Sequence, residues 1–358
     1  MRDTVVPNVD KAFLLATIQQ SKRLDGRGVY DYRKVKLTYG KGFGNVEVQL
    51  GRSRVLCQIS AVVVPPNEDR QHEGIVVFNT NLAQIADPQY EPGRPSALAI
   101  EVGRIIERGL KESRAIEKEG LCIVAGAKVW QLTIDTTILD NCGNVIDCAS
   151  IAVMAALRHF RRPDVTVQGE TATIHTLTEK EPVPLGLQHI PFAITFGFFD
   201  GGKYTLVDTS LEEEHVMEGR LTLTLNTHRE VCAIHKCGGA PLLPDQIIRC
   251  AKIAAVKVTE LSDLLTAVLD EAGAGISNPL PDKRSARTIG EQNTHIKVVT
   301  KEEKIIDLAK DLASETTTTT QQDTLNSAMS EDGSESEAES DSESDSEEEE
   351  TTMVLTGI

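Results

Sequence analysis

A glycine turn between a predicted strand and a predicted helix is the feature of this sequence best suited to chemistry. The segment Asp140–Asp147 (DNCGNVID) reads as a strand end, a tight turn and a helix start. N–H groups at a helix start, backed by the helix dipole, suit a phosphate group. The turn supplies neither a hydroxyl nor a cation, because Asn144 and Val145 follow Gly143, and Asp147 would repel an anion. It therefore has the backbone of a phosphate site without the matching side chains.

An acidic segment forms a second candidate, with Asp208 and Glu214 six residues apart and Arg220 six further on. Carboxylates at this spacing could hold a divalent metal near a phosphate, and His215 could act as a base. The alternative is a strand end followed by a helix start, where carboxylates complement the dipole. The residues alone favour this alternative, so we expect no metal site and no cofactor.

A basic stripe on a predicted helix is the third candidate. Arg104, Arg108 and Lys111 share one helical face, and Arg94 precedes the helix. Such a stripe suits nucleic-acid phosphates. A solvated face paired with neighbouring glutamates is the alternative, and spacing alone favours it.

The elements that position these candidates alternate as strands followed by helices, twice over, which predicts an α+β fold with two similar β-then-α halves. Asn8 is expected to cap the first helix, and the linker between the halves is expected at 182–184. Helices are predicted at 8–23, 96–113, 147–160 and 244–269. Strands are predicted at 34–39, 45–50, 54–64, 74–80, 128–139, 165–167, 192–199, 203–207, 221–226 and 231–235.

Charge and cysteine content limit the functional classes. The 358 residues carry a net charge of −17, but fifteen acidic residues and no basic ones lie between Asp311 and Ile358. The body is therefore close to neutral, and the acidic tail is predicted to be disordered. No apolar run is long enough to span a bilayer, so no membrane role is expected. The seven cysteines lack a CxxC pair; Cys142/Cys148 and Cys232/Cys237 could be metal ligands, but reduced, buried thiols are the preferred interpretation.

Together, these segments in this order resemble the RNase PH family. The resemblance implies an RNase PH-like α+β fold with halves like ribosomal S5 domain 2. Its implied divisions are an N-terminal lead-in (1–30), a first half (31–163), a second half (164–274), and a linker with the disordered tail (275–358). The matching segments are 23–27 (RLDGR), 51–55 (GRSRV), 91–94 (EPGR), 129–135 (VWQLTID), 140–150 (DNCGNVIDCAS) and 206–208 (LVD).

Active family members are phosphorolytic 3′→5′ exoribonucleases, in which inorganic phosphate attacks the terminal phosphodiester. Carried onto this chain, the phosphate turn is Gly143-Asn144-Val145, which lacks the family's hydroxyl and cation. The second acidic position falls on Arg220, leaving Glu214 unpaired at that spacing, although Asp208 lies six residues before it. Loss of the arginine fork removes a bidentate phosphate contact. The resemblance therefore implies a degenerate site and a chain that is not an enzyme.

Within the family, the details are most similar to non-catalytic ring subunits of the eukaryotic RNA exosome. In such subunits, two arginines one helical turn apart line the RNA path, which shifts our interpretation of Arg104 and Arg108 towards RNA contact. The implied partners are RNA, other RNase PH-like ring subunits, S1/KH-domain cap subunits and an associated 3′→5′ exoribonuclease. The implied roles are rRNA maturation and mRNA turnover in nucleus, nucleolus and cytoplasm. Two alternatives stay open: an active phosphorolytic enzyme with a shifted site, and an unrelated α+β scaffold with an acidic interaction tail.

Overall fold

The computed structural model describes residues 6–40, 42–86, 96–168, 171–176, 179–239 and 241–275. The predicted acidic tail lies outside these residues, as does Arg94 of the basic stripe. Among the helices described, none combines the length and apolarity that crossing a bilayer requires.

The first helix, α1 (Asn8–Gln19), is shorter than the predicted 8–23. Asn8 is not its cap, because Asn8 is already the first residue of the helix. The cap position is Pro7, which makes no side-chain capping hydrogen bond. The chain leaves the helical path after Gln20, and Ser21 adopts a positive φ of 55°. Leu14 and Ile18 are buried as expected, whereas Phe13 is 56% exposed. The helix therefore packs through a narrower stripe than its sequence indicates.

The first half of the chain builds one sheet with two helices. Strands β1, β2 and β3 form the predicted antiparallel meander, and β3 pairs with β6. Strand β4 pairs with β6 in parallel, and the short β5 pairs with β6 antiparallel. The elements are β1 (Val35–Tyr39), β2 (Asn45–Leu50), β3 (Ser53–Val64), β4 (Ile75–Leu82), α2 (Ala97–Glu112), a 3-10 turn (Glu119–Leu121), β5 (Cys122–Val124), β6 (Lys128–Asp140) and α3 (Val145–His159).

The second half builds a four-stranded antiparallel sheet in the order β12-β11-β13-β14. The segment predicted as a linker instead forms β10, which pairs with β7. The elements are β7 (Arg161–Arg162), β8 (Val165–Gln168), β9 (Thr171–Ile174), β10 (Val183–Pro184), β11 (Phe192–Phe199), β12 (Tyr204–Val207), α4 (Leu211–Val216), β13 (Gly219–Leu225), β14 (Val231–Cys237) and α5 (Pro244–Gly275).

The helix α3 lies between the two sheets of the described residues. It packs on β2 and β3 of the first sheet and on β11 of the second. Nearly all of its residues are buried, as is every residue of β11, which α5 also contacts. One continuous apolar core therefore joins the two sheets, with the start of α3 held between them.

Candidate functional site at the Gly143 turn

The predicted strand–turn–helix at Gly143 is confirmed. Strand β6 ends at Asp140, Gly143 and Asn144 have φ values of +90° and +50°, and α3 begins at Val145. A Cβ on Gly143 would lie 2.5 Å from the backbone nitrogen of Leu211, the first residue of α4. The bare glycine therefore allows the start of α4 to approach the turn, which brings the acidic segment to the front of α3.

A carboxylate of the protein itself occupies the anion position of this turn. The backbone N–H of Asn144 donates a 2.6 Å hydrogen bond to Oε1 of Glu214, and the Thr209 hydroxyl lies 3.4 Å from the same oxygen. Burial raises the pKa of the Glu214 carboxyl, while these hydrogen bonds and the charges of Arg220 and Arg33 oppose that rise. The N–H of Asn144 at this helix start thus has its acceptor within the fold.

Asp208 is fully engaged by arginines rather than exposed towards a metal. Its Oδ1 accepts from Arg33 Nη2 and from Asn144 Nδ2, both at 2.8 Å. Its Oδ2 accepts from the backbone N–H and Nε of Arg33 and from Nη1 of Arg27. Burial disfavours the Asp208 carboxylate, but its bonds to Arg33 hold the pKa below the ordinary value. Both oxygens are therefore committed to structural contacts.

Asp147 faces the interior instead of the space in front of the turn. Its carboxylate accepts hydrogen bonds from the Tyr32 hydroxyl, from Asn144 Nδ2, and from the hydroxyl and N–H of Thr195 on β11. Burial raises its pKa to about 6, although these bonds favour the ionised form. The Asp147 side chain therefore joins α3 to β11 and does not face the space in front of the turn, and its repulsion of an anion there stays a prediction.

The acidic segment after Asp208 is the start of a helix, as its sequence favoured. Ser210 caps α4, and Glu213 completes a reciprocal capping box. The buried Arg23 donates to the Glu213 carboxylate and to the carbonyl oxygens of Val207 and Asp208. Glu213 and Arg23 thereby fix the backbone on which Asp208 and Glu214 are mounted.

Among the described residues, Arg220 forms its ion pair with Glu101 and not with Asp208 or Glu214, although its charge still acts on the Glu214 carboxyl. Its Nη2 forms an ion pair with Oε1 of Glu101 on α2, and Nε2 of His235 lies 3.4 Å from the same oxygen. The three residues of the predicted degenerate acidic site are therefore divided between two places: Asp208 and Glu214 at the turn, and Arg220 beside α2.

The basic stripe lies on the exposed face of α2. Arg108 pairs with Glu112, and Lys111 pairs with Glu107 and stands 5.7 Å from the centroid of the Phe78 ring. Arg104 is exposed and makes no ion pair within the part of the chain that the structure describes. The three cations share one face, and Arg104 differs from the other two in having no acidic partner there.

Sequence reasoning missed the side chains that hold the turn together. Besides Asp208, Arg33 donates to the carbonyl oxygens of Cys142 and Gly143. Ser53 donates to the Gly143 carbonyl and accepts from the N–H of Cys142. These residues lie far from the turn in sequence. Ser53 belongs to the matching segment 51–55, but no local pattern assigns Ser53 or Arg33 to the turn, and only the pairing of β3 with β6 brings Ser53 there.

Two β-then-α halves around a shared buried helix, with a glycine turn leading into that helix, define an RNase PH-like α+β protein. Residues 31–163 match the 3′ exoribonuclease family, domain 1, and residues 189–257 match domain 2 of the same family. The chain belongs to this 3′ exoribonuclease (RNase PH) family. The predicted family and fold are confirmed, and the alternative of an unrelated scaffold is wrong.

Curated relatives sharpen this placement. The chain is 49% identical over 270 residues to "Exosome complex component RRP45" of Bos taurus, covering 75% of this chain and 61% of that protein. It is 40% identical over 262 residues to the rrp45 component of Schizosaccharomyces pombe, covering 73% of this chain and 90% of that protein. The matched region thus spans about three fifths of the bovine relative.

Solved structures share the fold. A chain of the Archaeoglobus fulgidus exosome with RNA bound to the active site has a TM-score of 0.63 and 28% identity, over 72% of this chain and 97% of that one. A chain of an archaeal exosome core has a TM-score of 0.60 and 24% identity over the same shares.

Proposed function

We propose that this chain is a non-catalytic ring subunit of the RNA exosome, the counterpart of the RRP45 components it resembles. The observation that carries the non-catalytic part is the hydrogen bond between the Asn144 N–H and the Glu214 carboxylate. This bond supports the interpretation that the turn retains the backbone of a phosphate site but binds the protein's own Glu214 carboxylate in place of phosphate.

Electrostatics oppose phosphate binding at this turn. An incoming phosphate would have to displace Glu214 from the Asn144 N–H and would meet the charge of its carboxylate. Arg33 is the nearby cation, but Asp208 accepts from its N–H, its Nε and its Nη2. A phosphorolytic site needs donors free for the attacking phosphate, whereas the Asn144 N–H and the Arg33 guanidinium already have acceptors within the fold.

The proposed RNA contact is the basic face of α2. Arg104, Arg108 and Lys111 would meet phosphates, and Arg94, which lies outside the described residues, is proposed as a further RNA contact. Contacts to phosphate position a strand without reading its sequence, which fits a subunit that guides diverse RNAs. Arg104 should contribute most, since Arg108 and Lys111 must first share their charge with Glu112 and Glu107.

The proposed partners follow from the named relatives and from the archaeal exosome chains. They are other RNase PH-like ring subunits, S1/KH-domain cap subunits and an associated 3′→5′ exoribonuclease that degrades the threaded RNA. The proposed locations are nucleus, nucleolus and cytoplasm, and the proposed processes are rRNA maturation and mRNA decay.

Phosphorolysis by the purified chain tests the central proposal. The full-length protein, incubated with single-stranded RNA and inorganic phosphate, should release no nucleoside diphosphate. The remaining alternative, an active enzyme with a shifted site, predicts sustained release that Glu214→Ala abolishes. Release that survives this substitution would indicate a contaminating phosphorolytic nuclease, whereas release that depends on Glu214 would overturn the proposal.

A further inference from the structure

A second cluster of chemically active side chains lies where α2 meets the edge strand β14. His235 and Cys237 alternate with the outward-facing Lys236, so both project from the same side of the strand. Glu101 of α2 faces them, and one ligand atom from each of the three residues lies within 4.8 Å of the others. Cys237 is exposed, three of the other six cysteines are half-buried, and three are buried, so the expectation of buried thiols holds only for Cys57, Cys148 and Cys250.

We propose that Glu101, His235 and Cys237 bind one Zn²⁺ ion, with water as the fourth ligand. Thiolate, imidazole and carboxylate are the ligand types that zinc accepts, at about 2.0 to 2.3 Å. Around a tetrahedral ion such ligands are about 3.5 Å apart, so small side-chain rotations close the observed spacing. Binding releases the Cys237 thiol proton to solvent as the sulfur–zinc bond forms.

Arg220 is compatible with this site. Arg220 and His235 both contact Oε1 of Glu101, and no described residue donates to Oε2. Zinc can therefore bind Oε2 while the guanidinium remains on Oε1. Hydrogen bonds to a ligating carboxylate orient it and support metal affinity. His235 would turn its Nε2 from Oε1 to the metal.

The proposed zinc ion would link α2 to β14, the edge strand of the second sheet. Helix α2 carries the basic face, and it packs directly on β14. A bond from Glu101 through zinc to two residues of β14 would restrain this packing. Zinc binding would thus stabilise the folded chain, and this stabilisation would rise with the logarithm of the free ion concentration above the dissociation constant.

Cobalt substitution tests the site on the full-length chain. The metal-free protein, titrated with Co²⁺, should develop a thiolate-to-cobalt absorption band that saturates at one equivalent and disappears when Zn²⁺ is added. Cys237→Ser should abolish the band. Glu101→Gln and His235→Asn should weaken Zn²⁺ binding by more than about tenfold, since even residues behind the ligands are worth that much.

Two substitutions on the same strand serve as controls. Cys232→Ser makes the same chemical change in a half-buried thiol, and Lys236→Gln changes the residue between the ligands. Both variants should retain the band and the zinc-induced rise in unfolding temperature that Cys237→Ser lacks. Absence of a thiolate band in the unsubstituted chain, or its persistence in Cys237→Ser, would overturn the proposal.

Discussion

The backbone N–H of Asn144 and the Oε1 atom of Glu214 lie 2.6 Å apart, in a hydrogen bond that joins the start of α3 to α4 across 70 residues of sequence. A helix start offers its N–H groups to an anion, and here the anion is a side chain of the same protein. The turn therefore serves as a structural joint in this chain.

Removing the Glu214 carboxylate should destabilise the protein without creating an enzyme. Glu214→Ala leaves the Asn144 N–H without its partner, and we expect a loss of about 1–3 kcal/mol in the free energy of unfolding, measured in urea. Glu214→Gln keeps an acceptor oxygen and should lose less. Phosphorolysis should stay absent in both variants, because Asn144 and Val145 still supply no cation. Equal stability of Glu214→Ala and the unsubstituted chain would contradict the conclusion that the bond between Asn144 and Glu214 stabilises the fold.

The buried carboxylate of Asp208 should be among the most sensitive positions. Asp208→Asn leaves Arg33 and Arg27 without their partner in the interior, and we expect a loss of about 3–5 kcal/mol in urea unfolding. Backbone strain is not the cause, since asparagine also tolerates the positive φ of 53° found here. Asp200→Asn, which breaks an exposed ion pair with Lys203, should change stability by less than about 1 kcal/mol.

The Asp208 effect should depend on pH with a defined sign. Because Arg33 lowers the folded-state pKa below the ordinary 3.8, the ion pair stabilises the protein fully above that value. This stabilisation is lost as the pH falls through the lower, folded-state pKa. The stability difference between the unsubstituted chain and Asp208→Asn should therefore be constant near neutral pH and narrow below about pH 4. A difference that widens towards acid would contradict this assignment.

Gly143 should tolerate no side chain. In Gly143→Ala the new Cβ would lie 2.5 Å from the Leu211 nitrogen, a backbone atom that the capping box of α4 holds in place. We expect a thermal unfolding midpoint lowered well beyond that of Gly201→Ala. Gly201 also has a positive φ, of 66°, but no atom lies within 4 Å of its added Cβ. Gly201→Ala should therefore lose only about 1–2 kcal/mol in the free energy of unfolding, which is the cost of the positive φ alone. Similar midpoints for the two variants would show that the turn can relax.

Among the basic residues on α2, Arg104 should contribute most to RNA binding. In the assembled ring, Arg104→Glu should weaken RNA binding more than Arg108→Glu, because Arg108 is already paired with Glu112. The double variant should be weakest, and the loss should shrink at high salt. Filter binding of single-stranded RNA measures both effects, with Lys203→Glu as a control on another surface. Unchanged RNA binding in the Arg104→Glu, Arg108→Glu double variant would contradict the proposed RNA contact and favour the alternative, a solvated helix face.

Most secondary structure could be predicted because its signals are local. Alternating apolar residues predicted β2 within its observed bounds, and apolar residues at helical spacing predicted a helix at 96–113, which the structure places at Ala97–Glu112 with Ser96 as its cap. The errors fell where local signals are weak or overridden. The two-residue strand β10 exists only through its pairing with β7, and α1 stops short of Arg23, which the structure needs as a buried partner of Glu213.

The sequence by itself determined the family, the strand–turn–helix at Gly143 and the missing hydroxyl and cation of that turn, since each is written in contiguous residues. Only the tertiary structure decided where the carboxylates go. Glu214 reaches the Asn144 N–H, Asp208 lies between Arg33 and Arg27, and Arg220 turns away to Glu101. These contacts join residues far apart in the chain, and sheet pairing and the close approach at Gly143 set them. Spacing along the sequence therefore could not distinguish a degenerate site from one filled by its own side chains.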